Sequence, residues 1–202
     1  MKIIVYGATG RIGSRVAAEA VTRGHDVTGV SRSGGDLPPG AVAVRGDACD
    51  PVFAKGMAST AEVIVAAIAP DRSGGNWQGY LDGLSNLAAT AGDARLIIVG
   101  GGASLTLAGH RMIDLPGFPA PHRKEAMAGI EGYELIRTHH DDIDWTFISP
   151  APLVGPGERT GSYRVGVDHP AGEGISFEDV AVALIDEIEK PAHRRGLFSV
   201  AH

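Results

Sequence analysis

Lys2-Ile3-Ile4-Val5-Tyr6-Gly7-Ala8-Thr9-Gly10-Arg11-Ile12-Gly13 stands at the start of the chain and commits it to one architecture. Lys2–Tyr6 is rich in β-branched and aromatic residues and reads as a strand. It is apolar on both faces, as a strand covered by helices on each side must be. The glycines that follow are spaced G-x-x-G-x-x-G, and a helical pattern starts at Ile12. Gly7 permits a tight turn, Gly10 lets backbone approach a phosphate, and Gly13 lets the helix lie close to the strand. A helix that begins here directs free N–H groups and the positive end of its dipole at an anion. The glycines alone are a weak signal. The strand before and the helix after make them a pyrophosphate-binding turn lined by Gly7, Thr9, Gly10, Arg11, Ile12 and Gly13.

Outward from this turn the same alternation continues. Strands are predicted at His25–Val30, Ala41–Arg45, Val63–Ile68, Leu96–Val99, Trp145–Ile148 and Leu197–Val200. Helices are predicted over Ile12–Arg23, Val52–Ala58, Tyr80–Thr90, Lys124–Thr138 and Ser176–Glu189. In the last of these, Val180, Leu184 and Ile188 recur every four residues and share a face with Ile185. Ser176 followed by Asp179 resembles a capping box. Strand–helix alternation implies right-handed crossovers and an α/β, Rossmann-like, doubly wound parallel sheet. One domain spans residues 1–202, with substrate-side loops at about 101–122 and 151–174. Gly155–Gly174 has no helical pattern and is expected to carry a short hairpin around Tyr163–Val167.

Ligands of such sheets lie beyond the carboxyl ends of the strands. A site for NAD places Asp or Glu at the end of the second strand, to hold the ribose 2′-OH. Here that strand ends Val30-Ser31-Arg32-Ser33, without a carboxylate. Arg32 can pair with a 2′-phosphate, Arg11 can close on it from the other side, and Ser31 and Ser33 add donors. The expected dinucleotide is therefore NADP, with NAD possible; the plainer alternative for Arg32 is a solvated loop charge. Asp47 and Ala48 suit an adenine edge, although Asp47 could equally cap the next helix. Ala66-Ala67-Ile68 places small side chains where backbone must lie close to the cofactor. Ser149-Pro150-Ala151-Pro152, read as following a strand, would run along the nicotinamide.

Charged residues make up 21% of the chain and the formal net charge is −6. That balance gives no basic field for nucleic acid or an anionic membrane, and the expected partner is a small-molecule substrate. The N-terminal apolar run stops at Gly7, short of the roughly 7–15 residues of a signal-peptide core. No segment approaches the ~18 apolar residues of a membrane helix. A cytoplasmic monomer or homodimer is expected. Cys49, the single cysteine, fits a reducing compartment and reads as a small, at least half-buried residue.

Several stretches together resemble the NADH-flavin reductase group of the atypical short-chain dehydrogenases, related to NmrA-like proteins and to biliverdin reductase B. They are the Gly7–Gly13 turn, Arg23-Gly24-His25-Asp26-Val27, Gly46-Asp47, Trp145-Thr146-Phe147-Ile148-Ser149-Pro150 and Pro156-Gly157-Glu158-Arg159-Thr160-Gly161. The resemblance covers nearly the whole chain and implies a Rossmann fold, bound NAD(P), and reduction of a flavin or another small conjugated acceptor. It also places Ser104 where the group's substrate-side serine lies, and His122 where related sequences carry a tyrosine. A histidine there could donate a proton or a hydrogen bond. These two residues are the catalytic candidates.

Short-chain dehydrogenases use a tyrosine with a lysine four residues later to exchange a proton with an alcohol or carbonyl. Four residues after Tyr6, Tyr80, Tyr133 and Tyr163 stand Gly10, Leu84, Arg137 and Val167. None is lysine, and Tyr133 with Arg137 comes closest. Hydride transfer to an oxidised flavin needs orientation and exclusion of water more than a strong protein acid. The leading expectation is an NAD(P)H-dependent oxidoreductase with flavin as substrate rather than bound cofactor. An NADP(H)-binding redox sensor without turnover is the alternative. An epimerase or dehydratase is disfavoured by chain length and the missing pair. His139-His140-Asp141-Asp142 points its side chains apart, so no metal site is expected. His193-Arg194-Arg195 reads as a basic loop. Trp77, in Gly74-Gly75-Asn76-Trp77, is either a lid over the mouth or a packing residue.

Overall fold

The computed structural model describes residues 1–70, 76–140 and 142–202. The elements follow in the order β1 (Lys2–Tyr6), α1 (Arg11–Thr22), β2 (Asp26–Ser31), β3 (Val42–Arg45), α2 (Pro51–Ala58), β4 (Val63–Ala66), α3 (Gln78–Thr90), β5 (Arg95–Val99), β6 (Thr106–Leu107), β7 (His110–Arg111), α4 (Arg123–His139), β8 (Trp145–Pro150), β9 (Leu153–Gly155), β10 (Arg164–Val167), β11 (Gly174–Ser176), α5 (Phe177–Glu189) and β12 (Gly196–Ala201). Eight strands form one sheet in the order β10-β12-β8-β5-β4-β1-β2-β3. All its pairings are parallel except β10 with β12. The chain walks outward from β1 in both directions, so the switch point lies between β1 and β4. The residues after β1 border the crevice there. This is the doubly wound α/β fold.

Each face of the sheet carries its own core. Along β1, Ile3 and Val5 point to one face and Ile4 and Tyr6 to the other, following the two-residue period of a strand. The first pair packs with Val16, Ala17 and Ala20 of α1 and with Val180, Leu184 and Ile188 of α5. The second packs with Ala54 of α2, Leu84 and Leu87 of α3, and Ala128 and Ile136 of α4. Helix starts obey local chemistry. Asp50 caps α2 by accepting from Val52 N at 2.9 Å and Phe53 N at 3.1 Å, with Pro51 in the first helical position. Ser176 caps α5 by accepting from Asp179 N at 3.0 Å.

The structure corrects several expectations. The strand expected to stop at Ile148 runs through Ser149 and Pro150, so those residues lie within β8 rather than after it. The one expected over Val63–Ile68 ends at Ala66, leaving Ala67 and Ile68 in the following loop. Tyr163–Val167 forms no hairpin: Arg164–Val167 is an edge strand antiparallel to β12. The three-residue strands β9 and β11 pair as a separate parallel ribbon. Cys49 is exposed rather than half-buried, its Sγ donating to Gly79 O at 3.2 Å. Partial desolvation and the neighbouring Asp47 push its thiol pKa up.

Beneath the amino ends of the strands lies a buried ionic network. Arg95 donates through Nη2 to Glu187 Oε1 at 2.5 Å, through Nη1 to Glu187 O at 2.7 Å, and to Thr146 Oγ1 at 2.8 Å. Glu187 also accepts from His193 N at 3.0 Å and pairs with His193 Nδ1 at 2.8 Å. The His193 ring stacks on Phe198. His193 is thus a structural partner rather than part of a solvated basic loop.

The Pro156–Gly161 stretch is held down by acids of α1 and α5. Arg159 binds Glu19 through two 2.7 Å hydrogen bonds. Thr160 Oγ1 at 2.6 Å and Gly161 N at 2.8 Å donate to Asp179, and Gly157 N donates to Glu178 at 3.0 Å. The Arg159 hydrogen bonds hold the Glu19 pKa below the usual carboxylate value, against burial and with help from Arg23. At Asp179, burial opposes ionisation, but Thr160, Gly161 and His202 outweigh it and lower the pKa. The folded protein therefore binds protons here more weakly than the unfolded chain. The stabilisation is complete above the unfolded carboxylate values, about 4, and is lost as pH falls through the depressed ones. Acid unfolding followed by tryptophan fluorescence should begin below roughly pH 4. Arg159→Ala should move that onset to higher pH; an unmoved onset would show that the clamp contributes nothing.

Candidate functional site

Gly7 leaves β1 at φ +79° and donates its N–H to Val30 O at 2.9 Å. Gly10 N closes the turn on Gly7 O at 2.9 Å, and Ser14 N on Gly10 O at 3.0 Å starts the helix. A Cβ on Gly7 would lie 2.4 Å from Ala67 O, and one on Gly13 2.2 Å from Gly7 O. The protein's own backbone therefore forbids a side chain at either place. Gly10 is different: a Cβ there would meet only Gly7 O, at 3.1 Å. Its missing side chain leaves space above the helix start. No side chain caps α1 and no acid stands in its first turn. The N–H groups of that turn and the positive dipole end remain for an anion, which is the fit a pyrophosphate needs.

The turn gathers most of the expected residues. Ala67 N donates to Tyr6 O at 2.9 Å, which presses Ala67 and Ile68 against Gly7. Thr9 is exposed, and its methyl lies 3.0 Å from a Cβ built on Gly35, so the turn touches the loop after β2. Ser31 ends β2, and Arg32 follows it, exposed. Arg45 Nε donates to Arg32 O at 3.0 Å. Neither the Arg32 nor the Arg11 guanidinium has a hydrogen-bond or salt-bridge partner among the described residues. Asp47 accepts from Cys49 N at 3.0 Å in a local turn. Of the two roles the sequence left for it, the helix cap falls to Asp50 instead. Ala48 is buried, and its carbonyl accepts from Asn86 Nδ2 at 2.5 Å.

On the other side of the switch point, Ser149, Pro150 and Ala151 are buried. Ser149 Oγ donates to Gly101 O at 3.1 Å, and Ala151 N to Val200 O at 3.0 Å. Ser104 ends a short turn at Gly102–Ser104 that packs against α4. It is half-buried, and its hydroxyl has no partner among the described residues. His122 is exposed at the end of another turn, Ala120–His122, where α4 begins. No hydrogen bond joins Ser104 to His122 among the described residues. Sequence reasoning missed Arg15, one turn into α1, which pairs with Glu178 at 3.1 Å. The acidic first turn of α5 was the available signal.

Other candidates prove structural. The Tyr133 ring packs edge-on against Phe147 at 5.3 Å and Trp145 at 6.2 Å, and burial raises its pKa. Arg137 is taken by Glu134. Trp77 packs on the α2–α4 core and donates Nε1–H to Glu131 at 2.6 Å, so it is a packing residue. Gly74, Gly75 and Asp141 lie outside the described residues. Among those described, no three His, Cys, Asp or Glu side chains are placed to hold a metal, and no helix is long and apolar enough to cross a membrane.

A glycine-cradled helix start at the switch point of a parallel sheet defines a dinucleotide-binding Rossmann protein. A family model described as NAD(P)H-binding matches residues 7–191, and the chain belongs to that family. A curated relative, the uncharacterized protein YwnB of Bacillus subtilis, is 33% identical over 99% of this chain and 98% of its own. Three solved structures are similar across the whole chain. A candidate exported protein of Burkholderia pseudomallei is 37% identical with a TM-score of 0.87 (100% of each chain). A candidate epimerase of Bacteroides thetaiotaomicron is 30% identical at 0.88 (100% and 96%). A candidate NADH-flavin reductase of Streptococcus pneumoniae is 27% identical at 0.88 (100% and 99%). These names disagree on the reaction, so membership fixes the fold and the class of coenzyme only.

Proposed function

We propose that the chain is an NADPH-dependent reductase that passes hydride to a flavin or a similar small conjugated acceptor. The observation that carries this reading is a cradled dinucleotide site with no tyrosine–lysine pair beside it. The nicotinamide, when bound, supplies the hydride. The amides at Arg11, Ile12 and Gly13 grip the pyrophosphate over Gly7, Thr9 and Gly10. Arg32 and Arg11, whose guanidinium groups have no hydrogen-bond or salt-bridge partner among the described residues, pair with the 2′-phosphate, and Ser31 adds a donor. Asp47 and Ala48 border the adenine, Ala67 and Ile68 form a low wall, and the backbone of Ser149, Pro150 and Ala151 runs beside the nicotinamide. The loops at 101–122 and 151–174 make the substrate side. There the Ser104 hydroxyl orients the acceptor and His122 hydrogen-bonds it at the mouth. Solvent supplies the proton, so the site needs orientation more than an acid. The packed phenol of Tyr133 is not that acid.

Loss of NADPH absorbance on adding FMN, riboflavin or a quinone tests the reading. Absence of acceptor-dependent oxidation with all of them would favour a sensor without turnover. For the coenzyme, Arg32→Ala should weaken NADPH about 10–100-fold, the worth of charge-assisted hydrogen bonds, and leave NADH nearly unchanged in calorimetry. Equal affinities of the unmodified protein for both coenzymes would defeat the NADP assignment.

A further inference from the structure

Pro150 lies inside β8, where a residue without an N–H interrupts the hydrogen-bond ladder. The parallel pairing of β5 with β8 reaches Val99 opposite Ile148, and Gly100 N still donates to Ile148 O at 2.9 Å. Beyond that point Pro150 offers the departing chain no donor. The attachment passes to a side chain: Ser149, with 0% exposure, turns its Oγ onto Gly101 O at 3.1 Å. The glycines on either side are fitted to the same strand end. A Cβ on Gly100 would lie 2.8 Å from the Phe147 ring, and one on Gly102 3.5 Å from Pro150 O. The chain then tightens into the Gly102–Ser104 turn, closed by Leu105 N on Gly102 O at 3.2 Å.

We infer that Ser149 is a positioning residue for the acceptor. Its hydroxyl is committed to Gly101, fixes the Gly100–Ser104 segment on β8 and thereby sets where Ser104 stands; only its backbone borders the nicotinamide. The inference rests on the proposed function in one respect, that Ser104 faces the acceptor.

Amide hydrogen exchange on Ser149→Ala tests it without requiring turnover. Exchange over residues 101–105 should accelerate about tenfold, the loss of one buried hydrogen bond, while residues 7–13 and the NADPH dissociation constant stay within about twofold. Ser149→Cys keeps the volume with a weaker donor and should fall between the two, which guards against a packing artefact. In steady state the acceptor KM should rise severalfold with the NADPH KM unchanged. Unchanged exchange over 101–105, or NADPH binding weakened as much as acceptor binding, would overturn the assignment. Should the unmodified protein oxidise NADPH with no acceptor, the reductase reading fails on that result, while exchange and NADPH binding still decide the role of Ser149.

Discussion

Gly13→Ala should remove measurable binding of both coenzymes and lower the thermal midpoint. The added Cβ would lie 2.2 Å from Gly7 O, 2.8 Å from Gly7 C and 3.2 Å from Ala8 Cα. All three are backbone atoms, so no side chain can rotate out of the way. The helix must move off the strand end, at an overpacking cost of about 1–3 kcal/mol, or roughly 2–12 °C for a chain of this size. The same movement carries the first-turn amides away from the pyrophosphate, and affinity should fall by more than about 100-fold. Gly56→Ala, in α2 where a Cβ meets nothing within 4 Å, is the control. It should be neutral or stabilise by about 0.5–1 kcal/mol. Native affinity in Gly13→Ala would show that the glycine turn is not the grip.

Glu187→Ala should be the most destabilising single change. Arg95 and Glu187 are 6% and 4% exposed, and the carboxylate also receives His193 N and Ala192 N at 3.0 and 3.1 Å. Burial opposes the charge on Glu187, but the His193 amide, Arg95 and the His193 ring outweigh it and lower its pKa. Removing the acid strands a buried guanidinium, which costs about 3–5 kcal/mol and roughly 6–20 °C in thermal midpoint. Coenzyme affinity of the folded fraction should be unchanged, because the network underlies the amino ends of the strands and the site their carboxyl ends. A loss below about 1 kcal/mol in chemical denaturation would mean that Arg95 finds solvent or another partner.

The fold was legible wherever the period of apolar residues decided it. Lys2–Tyr6, the glycine turn and the Val180-Leu184-Ile188 face are found as read. The errors have physical causes. The sequence reading ends this strand at Ile148, whereas β8 runs on through Ser149 and Pro150. There the neighbouring chain bends away from Pro150, and its missing N–H leaves the strand intact. The ribbon of β9 and β11 is too short for any periodicity. Asp47 reads as a possible cap in sequence, but the helix starts three residues later, behind Asp50 and with Pro51 in its first position. Glu187 looks like one more polar residue of a helix, since its partner Arg95 is 92 residues away. The glycine turn was legible for the same reason as the fold: backbone geometry dictates glycine. Side chains that act through contact, such as Ser149 on Gly101, left no mark in local sequence.

The turn of Gly7, Gly10 and Ser14 is closed by the protein's own backbone hydrogen bonds, at 2.9 and 3.0 Å. Uptake of the coenzyme then orders little polypeptide, so its encounter should resemble docking between rigid bodies. Residence time, rather than a slow isomerisation, should account for differences in affinity between the two coenzymes.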